Sequence, residues 1–230
     1  MQVTLYGLSG ADPSRHFSPH VWKVIMALHH KGIAFDFKPV SFTHIPEIED
    51  GFSPTVPVLR HGNQLVRDSF DIALFLEDSY PDAPSLFGGD GGKGMARLIE
   101  GFSQNNIHPL ISRIAIPDIY NLLAPQDRVY FRKTREPRIG QTIEEVSISR
   151  LAEVSVLQAR FEPIRHALKH QPWLSGDAPR FADYILFGAL QWLRVTSPVP
   201  VLHDGDPVRE WFERCLNLHG GVGHSVTAAA

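Results

Sequence analysis

The sequence contains a single cysteine, Cys215, in 230 residues. That count excludes an internal disulfide and a cysteine-rich zinc site. It also lacks any run of about eighteen apolar residues, so no spanning helix is expected. Lys, Arg, Asp and Glu are interleaved with no basic stripe, and the formal net charge is −3. Neither a nucleic acid nor an anionic membrane is therefore an expected partner. The opening MQVTLYGLSG has no basic segment followed by an apolar one, so no secretory signal is read and the cytoplasm is the expected compartment. Histidine is plentiful, at twelve, but His29 and His30 are adjacent and point to different sides of a helix. The rest are scattered without H-E-x-x-H spacing, and no metal site is expected.

What is present is an ordinary globular composition, 43% hydrophobic and 20% charged. Residues 2–6 alternate around Val3 and Leu5 and predict a short strand closed by Gly7. Ser18 is a good N-cap and Pro19 suits the first helical position. Val21, Val24, Ile25 and Leu28 then predict a helix over 20–31, stopped by Gly32. Residues 34–40 read as a second strand and 46–50 as a short helix. The runs 57–59 and 64–66, separated by His61-Gly62-Asn63, read as a hairpin. Asp68-Ser69 opens another helix with Ile72, Ala73, Phe75 and Leu76 on its apolar face.

The order β-α-β-α-β-β-α predicts a mixed sheet with a right-handed crossover, packed by helices. The glycine-rich run 87–92 is the expected domain boundary. Beyond it no alternation occurs, and helices are expected over 96–113, 125–135, 143–168, 181–194 and 207–216. The chain thus divides into an α/β domain, residues 1–84, and an all-α domain, residues 93–225.

Three features of the first domain carry chemistry, although each has a plain structural explanation. As an N-cap, Ser18 needs no further role. A helix N-terminus with a hydroxyl beside it also stabilises an anion, and would lower the pKa of a ligand thiol. Strand entry accounts for Val56-Pro57, while a cis bond there would turn the Val56 N–H and C=O toward a bound peptide. Capping accounts for Asp68-Ser69. Alternatively, Ser69 and its N–H hold a carboxylate at the helix terminus while Asp68 faces an ammonium group. One ligand with a thiol at one end and an amino-acid head at the other engages all three, and glutathione is such a ligand.

Taken together, Tyr6, the run Ser18-Pro19-His20-Val21-Trp22-Lys23, then Pro54-Thr55-Val56-Pro57-Val58-Leu59 and Leu65-Val66-Arg67-Asp68-Ser69 resemble the thioredoxin-like half of cytosolic glutathione transferases. Trp173-Leu174-Ser175-Gly176-Asp177 and Phe181-Ala182-Asp183-Tyr184 resemble that family's entry to its sixth helix. The segments S-P-H-V-W-K, V-P-V-L, A-P-Q-D-R at 124–128 and D-P-V-R-E-W at 206–211 are similar to the bacterial β-etherase branch and its fungal relatives. That branch includes enzymes that cleave β-aryl ethers of lignin-derived aromatics.

The resemblance implies that Ser18 contacts the glutathione sulfur, Val56 pairs with the cysteinyl backbone, Pro57 is the cis proline, and Asp68 and Ser69 bind the γ-glutamyl end. His44 or Thr43 would meet the glycyl carboxylate. It implies glutathione as co-substrate, a homodimer, and thiolate transfer to a hydrophobic, aromatic electrophile held between domains. Candidate lining residues are Phe42, His108, Ile111, Tyr120 and Trp192, each also explicable as core packing.

Two departures stand out. The long loop before Ser18 also contains Ser9 and Ser14, and Arg180 replaces the usual hydroxyl cap ahead of Asp183. The absence of cysteine from the N-terminal active position argues against relatives that run thiol-disulfide exchange. A non-catalytic ligand store on the same fold, and a purely structural interaction module, are the alternative readings.

Overall fold

The structure is a computed structural model and describes residues 2–230. Strand β1 (Val3–Leu8) pairs in parallel with β2 (Asp36–Val40) through the crossover helix α1 (Pro19–His30). Strands β3 (Val58–His61) and β4 (Gln64–Arg67) form an antiparallel hairpin, β3 lies antiparallel to β1, and the sheet order is β2-β1-β3-β4. Helix α2 (Ser69–Ser79) closes this thioredoxin-like unit. Strand β1 does not stop at Gly7. A Cβ there would lie 2.6 Å from the Phe37 ring and 2.8 Å from Val21 Cγ1, so this glycine is a close-packed strand residue rather than a turn.

Between β2 and β3 the expected short helix is a 3-10 segment, Phe42–Gly51, broken where Glu49 and Asp50 take positive φ. Glu49 is tied there by the Tyr6 hydroxyl and the Arg60 guanidinium, which hold the loop against the sheet.

The remainder is helical: α3 (Asp90–Phe102), α4 (His108–Leu122), α5 (Pro125–Ile139), α6 (Ile143–Ser149), α7 (Ala152–Arg160), α8 (Glu162–Leu168), α9 (Phe181–Thr196) and α10 (Pro207–Gly221). Helix α3 begins inside the glycine run read as a boundary. A Cβ on Gly92 would fall 1.7 Å from the Phe87 carbonyl oxygen, so only glycine permits that close approach. The single helix expected over 96–113 is two, joined by a π turn, Ser103–Ile107. The stretch read as one helix over 143–168 is three short ones.

Helix α1 joins the two halves. It is sandwiched between the sheet and α9, so all residues from Val21 to Leu28 are buried rather than one stripe. The contact with α9 is made at Gly188, where a Cβ would sit 2.3 Å from the Pro19 carbonyl oxygen. Asp183, buried near the start of α9, accepts hydrogen bonds from the N–H groups of Leu174 (2.8 Å), Ser175 (3.3 Å) and Arg180 (3.1 Å) and from Trp211 Nε1 (2.9 Å). With Arg180 in the cap position no cap hydroxyl is present: the Asp183 N–H donates to the Arg180 carbonyl (3.0 Å), and the Asp183 carboxylate is held by the backbone amides and the indole.

Candidate functional site

Two hollows meet at the N-terminus of α1. The polar one, about 430 Å³, is lined by His20, Ser53, Pro54, Thr55, Val56, Pro57, Arg67, Asp68, Ser69 and Gln104. The other, about 400 Å³, is mostly apolar, with Leu8, Phe17, Phe42, Ile116, Ile119, Phe131 and Trp192 in its wall beside Ser18, His20 and His108. His20 lines both, so the two spaces adjoin across its ring.

In the polar hollow the Val56–Pro57 bond is cis. Asp68, at φ +68°, turns the chain from β4 into α2, and its carboxylate accepts from the N–H groups of Phe70 (2.8 Å) and Asp71 (3.2 Å). Ser69 opens α2. Its hydroxyl is buried and has no hydrogen-bond partner among the described residues. A bare buried hydroxyl costs about 1–3 kcal/mol unless something pairs with it. Together with the positive end of α2, it forms a site for a carboxylate.

In the apolar hollow Ser18 is the N-cap of α1, 5% exposed, with its Oγ accepting from Val21 N–H at a long 3.4 Å. Of the other two serines in that loop, Ser9 is buried beside β1, and Ser14 is occupied with Asp12 at 2.6 Å. Neither lines either hollow.

His20 stacks on His108 with ring centres 5.4 Å apart and an interplanar angle of 14°. Burial, then the nearby charges of Lys23 and His108, push His20 well below the usual imidazole range. His108 is pushed down to about 4, by burial and then by Lys23. Both rings are therefore neutral at neutral pH. His108 Nδ1 donates to the Ser103 carbonyl (3.0 Å), which leaves Nε2 as a buried acceptor without a partner. Lys23, wholly buried beneath this pair, lies 3.8 Å from Glu100, an ion pair too long for a hydrogen bond. Burial lowers its ammonium to about 8 against the opposing pull of Glu100 and Asp68.

The predicted residues divide cleanly. Val56, Pro57, Asp68 and Ser69 converge on the polar hollow, and Ser18, Phe42, His108 and Trp192 on the apolar one. Four do not join them. His44 lines a third hollow beyond β2 and contacts Ser41 Oγ at 2.7 Å, while Thr43 gives its N–H and hydroxyl to Asp127, both at 2.9 Å. Ile111 is buried on the core side of α4, and Tyr120 packs beneath the guanidinium groups of Arg128 and Arg132. Sequence reasoning missed His20, Gln104, Phe17, Phe131, Arg135 and Arg138. Only His20 carried a local signal, its place directly after Ser18-Pro19.

A two-domain fold with a peptide-sized polar cleft on a thioredoxin-like unit, opening toward an apolar cavity under helices, defines a class of thiol-handling transferases. The chain belongs to the glutathione S-transferase family: the family's C-terminal domain matches residues 94–217 and its N-terminal domain residues 17–79. That membership carries glutathione as co-substrate. A glutathione S-transferase-like protein of Aspergillus flavus is 25% identical over 211 residues, covering 78% of this chain and 75% of that protein. Glutathione S-transferase 1 of Dianthus caryophyllus is 28% identical over 117 residues, covering 49% of this chain and 53% of that one. Among solved structures, glutathione transferase GSTFuA3 of Phanerochaete chrysosporium superposes with a TM-score of 0.78 at 25% identity, covering 100% of this chain and 99% of the other. A glutathione S-transferase of Ceriporiopsis subvermispora in complex with glutathione shares the fold, with a TM-score of 0.77 at 24% identity over 97% and 94% of the two chains.

Proposed function

We propose that this protein ionises the thiol of glutathione and transfers it to an aromatic electrophile, with β-aryl ethers the first class to test. One observation carries the reading. The polar hollow with the bare Ser69 hydroxyl and the apolar hollow with Ser18 share a wall, so a thiol leaving the first emerges in the second. The γ-glutamyl carboxylate lies on Ser69 and the N-terminus of α2, its ammonium against Asp68, and the cysteinyl backbone on Val56 beside Pro57. Ser18 donates its hydroxyl to the sulfur, and the positive end of α1 adds to the stabilisation of the thiolate.

The reaction is displacement at carbon. The S–H proton passes to solvent, the thiolate forms a C–S bond, the C–O bond breaks, and the phenolate leaves and takes up a proton. Holding both reactants in adjoining spaces supplies proximity. Residues 1–84 act as the glutathione domain and 93–225 as the domain that completes the electrophile's cavity. The working form is a homodimer, a reading supported by exposed Met95 and Leu98 on α3, and its proposed compartment is the cytoplasm.

The test is calorimetric titration with glutathione. Saturable one-to-one binding that falls about tenfold or more in Ser69→Ala is expected, the loss of one charge-assisted hydrogen bond. No binding at millimolar glutathione would sink the transferase reading in favour of a ligand store.

A further inference from the structure

The apolar cavity carries positive charge that its protein surroundings leave unpaired. Arg135 and Arg138 both line it, three residues apart on α5 and so on one helix face. The other arginines of this helix are satisfied. Arg132 pairs with Glu136 and Glu144, each at 2.6 Å, and Arg128 donates to the carbonyls of Leu123 (2.9 Å) and Asn121 (2.8 Å). Arg135 donates only to the neighbouring Thr134 hydroxyl, at 3.0 Å. No carboxylate lies within 4.0 Å of either Arg135 or Arg138 among the described residues.

Aromatic rings orient Arg135 instead. The Arg135 guanidinium carbon sits 5.3 Å from the centre of Phe42 and 5.2 Å from that of Phe131, both of which line the same cavity. Burial and then the charge of Arg138 hold Arg135 below the ordinary guanidinium range. Two like charges beside an apolar wall oppose folding unless an anion offsets them. A planar guanidinium is also the side chain best matched to a carboxylate or sulfonate.

We propose that the second substrate is an aromatic molecule bearing an anionic substituent, its ring against Phe42, Phe131 and Trp192 and its carboxylate or sulfonate on Arg135 and Arg138. This rests on the reading of the cavity as the electrophile's site. It makes charge a determinant of specificity, since glutathione is itself anionic and would otherwise repel such a partner.

The experiment is a fluorescence titration of the full chain, with glutathione present, using two dyes of one skeleton. 8-Anilinonaphthalene-1-sulfonate carries the anion and N-phenyl-1-naphthylamine does not. The readout is the affinity ratio of the charged to the neutral dye within each protein, which cancels general damage to the cavity. The ratio is expected to fall about tenfold in Arg135→Gln and about threefold in the more exposed Arg138→Gln, with Arg135→Lys in between. An unchanged ratio in folded Arg138→Gln and Arg135→Gln overturns the proposal. So does a selective weakening of glutathione relative to γ-glutamylcysteine with no change in the dyes, which would give these arginines to the glycyl carboxylate. If glutathione fails to bind wild-type protein while the dye ratio still depends on both arginines, the anion site stands and the transferase reading falls.

Discussion

At the scale of single residues, the proposed chemistry rests on two hydroxyls at helix termini, Ser18 and Ser69, with the His20 ring between the two hollows. Ser18 and Ser69 were legible because a serine before an apolar period marks a helix start, and a helix start attracts anions. Which hollow each would face was not legible, since that depends on how α1 and α2 pack rather than on their caps. Replacing Ser18 by Ala removes one hydrogen bond to the sulfur but keeps the helix terminus. The apparent pKa of the thiol, read from the pH dependence of kcat/KM with a chromogenic electrophile, should rise by about one unit. An unshifted profile would assign thiol activation to another group, with His20 the first to examine.

His20 was passed over because its one local signal, its place directly after Ser18-Pro19, does not reveal what its ring meets. Its importance comes from the second domain, which brings His108 across from the start of α4 to stack on it.

Among the secondary-structure elements, the informative positions are those where the regular pattern is interrupted. The π turn Ser103–Ile107 puts Gln104 toward the polar hollow and starts α4 so that His108 reaches the apolar one. Such insertions often sit at functional sites. The polar run 103–106 interrupts the apolar repeat by a single residue, Phe102 to Ile107 being five apart, too small a gap to divide the stretch read as one helix. Gly188 is the second example. In sequence it is a weak point within a helix, whereas in the fold it lets α9 touch the Pro19 carbonyl. Gly188→Ala must push α1 and α9 apart, at a cost of about 1–3 kcal/mol. The urea midpoint should fall, and because Pro19 adjoins Ser18, turnover should fall with it. An unchanged midpoint would mean that the two helices yield without cost.

At the scale of the whole molecule, half-buried neutral histidines join the parts. His219, in the kink ending α10, approaches the Tyr184 hydroxyl (3.1 Å), which in turn meets His30 Nδ1 at 2.6 Å, while His30 Nε2 donates to the Ser85 carbonyl at 3.2 Å. Because Ser85 can only accept, His30 Nδ1 is the acceptor, Tyr184 donates to it, and His219 donates to Tyr184. The chain links α1, α9, α10 and the segment between the domains.

Burial lowers His16, His108 and His219 to about 4, and shifts His20, His29 and His30 in the same direction. A lowered imidazole pKa means that the unfolded chain takes up protons near pH 6.5 while the native one does not. Stability should therefore be level above about pH 7 and decline from there toward pH 4. Glu77 and Asp206, whose carboxyls are lowered by their partners on Lys31 and Arg165, lose their contribution only below the ordinary carboxylate range. Urea midpoints between pH 7 and 5 test the histidine part, and His219→Gln should flatten the slope. A flat wild-type curve would show that these rings protonate freely in the folded state.

Local physics determined a good deal of this protein from sequence alone. Alternation marked the strands, caps marked α1 and α2, and Ser18, Val56-Pro57 and Asp68-Ser69 each showed a local feature that one ligand could engage, because each of these depends on neighbours within a few residues. The cavity wall was decided only by the tertiary structure. Phe131, Arg135 and Arg138 lie on a helix whose sequence alone looks like a charged surface, and they acquire a role because α5 packs against the 3-10 segment carrying Phe42. His44 and Tyr120 show the converse. Their residue types suited the expected roles, but the packing of the 3-10 segment and of α4 turned them elsewhere. Side-chain chemistry is written in the sequence, whereas the meeting of side chains from distant elements depends on burial and packing across the whole fold.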